Sequence, residues 1–234
     1  MGHSIFITGT DTGVGKTFFS RGIIRTLREL GVDAVGFKPI ECGGRADSKE
    51  LLAASGESLT LDEVNPISLD QPLAPLAAVD SPEELPIDKV KQAHEKLVNN
   101  HELVIVEGAG GWLVPITADY SMGDLASEMC DEVIIVAANK LGVINHTLLT
   151  YRAIQEKKID CARLVLNHPP VPESETSGYS PQLYPAESFP VGAAADLSLA
   201  SNAKTIQTCL PSLELFSLFD ETNFAKLAES MFTA

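Results

Sequence analysis

The chain has 234 residues, of which 44% are hydrophobic and 21% charged, and a formal net charge of −15 at pH 7. That composition is ordinary for a globular protein and long enough to bury a sizeable core, so residues 1–234 are read as a single α/β domain. The acidic balance argues against nucleic acid or an anionic membrane as a default partner. It leaves room for a small anion held by a local nest of amides and one or two lysines. Cys42, Cys130, Cys161 and Cys209 are scattered without a Cys-x-x-Cys pair, and the five histidines are dispersed. Neither a disulfide framework nor a zinc site is expected, and a reducing cytoplasm is the simplest compartment. The first residues enter an apolar run without a basic lead-in or an apolar stretch of signal-peptide length, so no secretory or membrane segment is expected.

In chain order, Ser4-Ile5-Phe6-Ile7-Thr8 reads as a buried strand. Behind it, Gly9-Thr10-Asp11-Thr12-Gly13-Val14-Gly15-Lys16-Thr17 reads as a tight loop opening a helix. A phosphate-binding loop requires this order, because loop amides and the positive end of the helix dipole converge on an anion. Lys16 adds a charge for terminal phosphates, and the Thr17 hydroxyl can complete the shell of a Mg²⁺ ion. Thr10 stands where the usual spacing places the first glycine, and Gly9 lies one residue earlier. Phe18, Phe19, Ile23, Ile24 and Leu27 carry a helix to Leu30, which Gly31 ends.

Ala34 to Phe37 forms a second strand running into Lys38-Pro39-Ile40, where the proline stops the strand and biases Lys38 toward an extended conformation. Asp47-Ser48 opens a short helix that closes near Gly56. Residues 65–86 carry Pro66, Pro72, Pro75, Pro82 and Pro86 and read as a long surface loop, a length that is often functional. An amphipathic helix follows over Ile87 to Asn99. A third buried strand, Leu103 to Val106, ends on Glu107-Gly108-Ala109-Gly110-Gly111. Met122 to Met129 is a short helix and Val133 to Ala138 a fourth strand. Asn145 can cap the next helix, which runs to about Lys157. Ala162 to Leu166 is a fifth strand ending on Asn167. Residues 169–188 are weakly patterned, 189–192 form a short segment, and a terminal helix occupies Thr222 to Phe232.

This alternation predicts a doubly wound, mainly parallel sheet with helices on both faces, of the P-loop NTPase type. Ligands gather at the carboxyl ends of such strands. The phosphate loop, Lys38, Glu107, Lys140 and Asn167 occupy those ends, a pattern that core packing does not explain. Glu107 stands where NTPases place an acidic Mg²⁺ ligand, against the plainer reading of a helix cap. Asp47 has the same two readings, and Asp-Ser before Leu-Leu is an ordinary N-cap. Lys38 is either a second fixed positive charge for phosphoryl transfer or a solvated strand-edge lysine. Trp112 reads as a packing residue, and His94 and His101 sit on or beside an exposed helix without a role. Asn139-Lys140-Leu141-Gly142 lacks the aspartate that guanine recognition needs, which excludes a regulatory GTPase.

The segments Gly9 to Thr17, Gly36 to Ile40, Val106 to Trp112 and Lys140 to His146, with Val64-Asn65-Pro66, resemble the dethiobiotin synthetase family. The resemblance covers about residues 4–167. It implies an ATP-dependent ring closure in which 7,8-diaminopelargonate takes up CO₂ (supplied as bicarbonate) as a carbamate. The carbamate attacks the γ-phosphate of ATP, and the second amine then expels phosphate. It also implies Mg²⁺ held by Thr17, Asp47 and Glu107, and Lys16 and Lys38 as catalytic charges. ATP would be bound by Gly13, Val14, Gly15, Lys16, Thr17, Phe18, Asp47, Glu107, Gly108, Ala109 and Gly110. The purine would meet Asn167 and His168, with a nucleotide loop near Ala195, Asp196 and Leu197. Thr12, Lys38 and Cys42 would touch the substrate. Gly142, Val143, Ile144 and Asn145 of a neighbouring subunit would cradle its carboxylate at a helix N-terminus, which implies a homodimer.

Gly13 stands where some members carry glutamate, and Cys42 where a hydroxyl is common. Cysteine is the weaker hydrogen-bond partner. Its two lysine neighbours would lower its thiol pKa, with Asp47 and Glu107 opposing. One rival is a regulatory or partitioning ATPase, but Thr10 to Val14 lacks the additional lysine such proteins usually carry. Another is an amidoligase of the cobyrinate type, whose appended glutaminase domain 234 residues leave no room for.

Overall fold

A computed structural model describes residues 2–56, 58–168, 201–218 and 222–231. The first strand β1 (His3–Gly9) feeds the loop that opens α1 (Lys16–Glu29). Gly31 takes φ +88° just past α1 and lets the chain turn into β2 (Ala34–Phe37). Then come β3 (Ile40–Cys42), α2 (Ala46–Ser55), α3 (Leu61–Val64), β4 (Ile67–Leu69) and α4 (Pro75–Ala78). A 3₁₀ turn at Pro82–Glu84 leads into α5 (Ile87–Asn100) and β5 (Leu103–Gly111). The chain continues through α6 (Met122–Met129), β6 (Glu132–Ala138), α7 (Val143–Glu156) and β7 (Asp160–Asn167). A helix α8 covers 201–209, followed by β8 (Glu214–Leu218) and α9 (Thr222–Ser230).

Six strands form one sheet in the order β2-β5-β1-β6-β7-β8, and every neighbouring pair is parallel. Strand alternation sends successive side chains to opposite faces. Phe6, Phe37, Val104, Val106 and Ile135 share one core with Val90, Leu125, Ile154 and Ile206 from α5, α6, α7 and α8. Ile5, Ile7, Ile105, Ile134 and Val165 share the other with Ile23, Leu51 and Leu227 from α1, α2 and α9. The sheet is therefore doubly wound, as expected, and β1 at its middle delivers the phosphate loop between β5 and β6.

Several local expectations need correction. Residues 65–86 are not a plain loop, because β4 pairs in parallel with β3 and α4 begins on the buried Pro75. The prolines punctuate short elements there rather than excluding them. Strand β5 does not stop at Val106, since its glycine-rich end stays paired to β1 as far as Gly9 opposite Gly111. Asn145 is not a cap, because Gly142, at φ +93°, precedes the first turn of α7 and Asn145 lies within it. Asp47 likewise sits inside the first turn of α2, whose N-cap is Arg45. Neither α8 nor β8 was legible, and the terminal helix ends at Ser230 rather than Phe232. The expectations for 169–188 and 189–192 lie outside the described residues.

Candidate active site

The phosphate loop is shaped by two glycines in left-handed backbone, Gly13 at φ +73° and Gly15 at φ +97°. A Cβ on Gly15 would lie 1.9 Å from the Asn167 side-chain nitrogen, so this position excludes side chains on two counts. That nitrogen donates to the Val14 carbonyl at 2.9 Å and ties the end of β7 to the loop. No side chain caps α1, and a helix leaves its first amides without intrahelical partners, as an anion requires. Lys16 is largely buried with its Nζ 3.3 Å from the Asp11 carbonyl. Burial, and then the Lys38 charge, lower its pKa to about 8.

Lys38 leaves the end of β2, where its amide donates to the Val64 carbonyl at 2.8 Å. The buried Asn65 side chain donates at 2.8 Å to the carbonyls of both Lys38 and Ile67, and so shapes this segment. Lys38 is only 2% exposed, which rules out the solvated strand-edge reading. Its Nζ donates to Asp47 Oδ2 at 2.9 Å and to Glu107 Oε1 at 2.5 Å. Burial alone would lower the lysine's pKa, but the two carboxylates outweigh it and raise it. Burial would raise that of Asp47, and the Lys38 ammonium holds it below the ordinary value instead. Glu107 lies opposite Ile7 in the sheet, fully buried, and its Oε1 also accepts from the Thr17 hydroxyl at 2.9 Å. It caps no helix.

The second oxygen of Glu107, Oε2, has no hydrogen-bond partner among the described residues. A buried carboxylate oxygen without a donor fits a cation. With the Asp47 carboxylate and the Thr17 hydroxyl it makes a hard oxygen set, suited to a Mg²⁺ that keeps several waters and takes the rest of its shell from phosphate. The expected ligands therefore fit the ion.

In front of these groups lies a cavity of about 650 Å³. Thr12, Gly13, Lys16, Thr17, Phe18, Lys38, Cys42, Asp47, Ala109 and Gly110 all line it, with an apolar wall from Pro72 to Pro75 and Val114. Gly108 is buried and does not line it, and its carbonyl lies 3.4 Å from Lys38 Nζ. Cys42 is half-buried, and burial pushes its thiol pKa up against the pull of Lys38, contrary to the expected lowering. Asn167 and His168 stand at the end of β7, beyond β1 and β6 from Lys38. Gly142 to Asn145 open α7 and do not line this cavity, and the Val143 side chain is buried in the chain's own core. Ala195, Asp196 and Leu197 lie outside the described residues. Trp112 is the packing residue expected, edge-on to Phe6 at 6.1 Å. Two polar residues had escaped sequence reasoning. Asn65 sits in a quoted segment but had no role, and Glu41 is a buried carboxylate on the cavity wall.

A family model described as an AAA domain matches residues 3–215. The ATP-dependent dethiobiotin synthetase of Akkermansia muciniphila is 43% identical over 168 residues, spanning 71% of this chain and 78% of that protein. That of Methanococcus vannielii is 40% identical over 164 residues, spanning 70% and 78%. Among solved structures, the septum site-determining protein MinD from Pyrococcus horikoshii aligns with a TM-score of 0.53 at 14% identity, over 100% of this chain and 97% of that one. The pNOB8 ParA protein aligns with a TM-score of 0.55 at 9% identity, over 98% and 97%. These two likenesses speak to the P-loop NTPase fold alone. Its phosphate loop, its buried Lys38 and its close relatives together place the chain in the dethiobiotin synthetase family.

Proposed function

We infer that this protein is an ATP-dependent cyclo-ligase that converts 7,8-diaminopelargonate, CO₂ and ATP into dethiobiotin, ADP and phosphate. One amine adds to CO₂ and loses a proton, giving a carbamate. A carbamate oxygen attacks the γ-phosphorus of ATP and ADP leaves. The second amine attacks the carbamoyl carbon, the C–O bond to phosphate breaks, and the ureido ring closes.

The observation that carries this reading is the buried Lys38 ammonium beside Asp47 and Glu107, on the same cavity as the phosphate loop. Two lysines, Lys16 and Lys38, face a region where charge passes between carbamate and phosphate oxygens, and positioned charges in a dry site stabilise that transfer strongly. The amides from Gly13 to Phe18 hold the phosphates. Thr17, Asp47 and Glu107 would hold Mg²⁺, which would supply neutralisation of phosphate charge. Asn167, with His168 beside it, meets the purine. The apolar wall at Pro72 to Pro75 suits the aliphatic chain of the diamine, with Thr12 and Cys42 at its polar end.

The same reading makes the protein a homodimer in which the α7 N-terminus, Gly142 to Asn145, meets the substrate carboxylate of the partner's site. Exposed Leu113, Leu141 and Leu149 support it, and Leu113 and Leu149 flank a groove of about 420 Å³ between the phosphate loop and α7. All four cysteines are free, in keeping with a reducing cytoplasm. The acidic charge speaks against a nucleic-acid partner. No helix among the described residues is long and apolar enough to cross a membrane.

ATP turnover should require both the diamine and bicarbonate, with dethiobiotin appearing by mass spectrometry. Rapid hydrolysis that ignores the diamine would instead mark a switch ATPase.

A further inference from the structure

Glu41 is a carboxylate only 5% exposed that the reaction above does not use. It sits in the middle of β3, three residues past Lys38. Its two oxygens reach across to the start of α2. Oε1 accepts from the Asp47 amide at 2.8 Å, and Oε2 from the Ser48 amide at 3.0 Å and from the Ser48 hydroxyl. Arg45, the residue in the N-cap position of α2, makes no side-chain cap. A side chain from another element therefore does the capping, and its negative charge suits the positive end of the helix. Both oxygens accept from these three donors, which turns the carboxylate toward the start of α2.

We propose that Glu41 is the positioning residue for the magnesium site, holding the first turn of α2 so that Asp47 meets Lys38 and the ion. This rests on the functional reading above. The amide that Glu41 accepts from belongs to the residue whose carboxylate is the ligand, so a shift of that turn moves Asp47 directly. Lys38 and Glu41 lie three residues apart on the run from β2 into β3, which Asn65 anchors through the Lys38 carbonyl. The Lys38–Asp47 contact of 2.9 Å thus closes a small ring running through Glu41. The far end of α2 is fastened separately. Ser55 Oγ accepts from the Gly36 amide at 2.8 Å, and Gly36 lacks the Cβ that would come within 2.8 Å of Leu51. These two anchors act at opposite ends of one helix, and of the two the Glu41 anchor is the one that touches the metal ligand.

Calorimetric titration of ADP, in MgCl₂ and separately in EDTA, separates the two anchors without relying on turnover. Groups that orient a metal ligand typically contribute about 10–100-fold in metal affinity. For Glu41→Ala, the factor by which Mg²⁺ strengthens ADP binding should fall about tenfold, while ADP affinity in EDTA stays near that of the parent. Glu41→Gln keeps one acceptor and should give an intermediate fall, and it decides the matter should the alanine variant not fold. Ser55→Ala should lower the melting temperature and leave the Mg²⁺ factor at the parent value. Glu41 variants that melt earlier yet keep the parent's Mg²⁺ factor would overturn the proposal and leave Glu41 a purely structural cap. A parent protein whose ADP binding ignores Mg²⁺ is a different result. It would overturn the metal-site reading itself, and the proposal with it.

Discussion

At the residue scale, two lysines line one cavity from opposite electrostatic settings. Lys38 is locked to Asp47 and fully buried Glu107, so its charge is secure. Replacing it by alanine should lower kcat about 10²–10³-fold while changing ADP affinity far less. The same change strands a buried carboxylate and should cost about 3–5 kcal/mol of stability. Steady-state rates must therefore be referred to the folded fraction measured by thermal melting, and a near-parental kcat would remove Lys38 from the chemistry. Lys16 is buried with Lys38 nearby and titrates near pH 8. The free protein loses this proton as pH rises through that value, whereas phosphate binds the ammonium form. ADP affinity measured in EDTA should therefore weaken above pH 8, approaching about tenfold per pH unit. A flat profile well above that pH would show that Lys16 does not meet the phosphates.

At the scale of elements, α5 illustrates how a helix of correct extent can be misjudged in its contacts. Its apolar spacing marks the helix to within one residue, yet the expectation of an exposed helix fails at His94, which is buried. The ring packs on Phe37 from β2 at 5.8 Å, and its Nε2 has no partner among the described residues. Burial lowers its pKa from 6.5 to about 4. Between those values the unfolded chain binds a proton that the folded one refuses, so stability falls as pH drops from 6.5 toward 4. The loss is on the order of 3 kcal/mol. Urea melts across this window should show that loss in the parent and its removal in His94→Leu. Equal pH dependence in the two proteins would place the titration elsewhere.

At the scale of the whole molecule, Leu113, Leu141 and Leu149 leave apolar surface beside the phosphate loop and α7. A closed pair is the simplest assembly that covers such a face in both copies. Light scattering at micromolar protein should give about twice the 25.0 kDa chain mass. Leu149→Glu should halve that mass and depress diamine-dependent turnover while ADP still binds. A monomeric parent with full activity would end the shared-site arrangement.

What the sequence determined by itself was local or periodic. The phosphate loop lies in consecutive residues, and the first five sheet strands announce themselves as apolar runs. The parallel fold follows from their alternation with helices. Glycine at the end of β5 hid its last residues, β3 and β4 are too short to show a period, and Glu214 and Ser217 interrupt the apolar residues of β8. Lys16, Thr17, Lys38 and Asp47 line one cavity with Glu107 against Lys38, but which of them is solvated, paired or buried was not legible. Whether Lys38 is solvated or buried depends on Glu107, 69 positions away, which the parallel register of β2, β5 and β1 brings alongside. Only the tertiary structure could show that burial rather than lysine charge governs Cys42, that Asn167 braces the loop at Gly15, and that Glu41 caps α2. Pattern reports how exposed a face is, whereas partners and pKa shifts come from groups that the crossover connections bring together from distant parts of the chain.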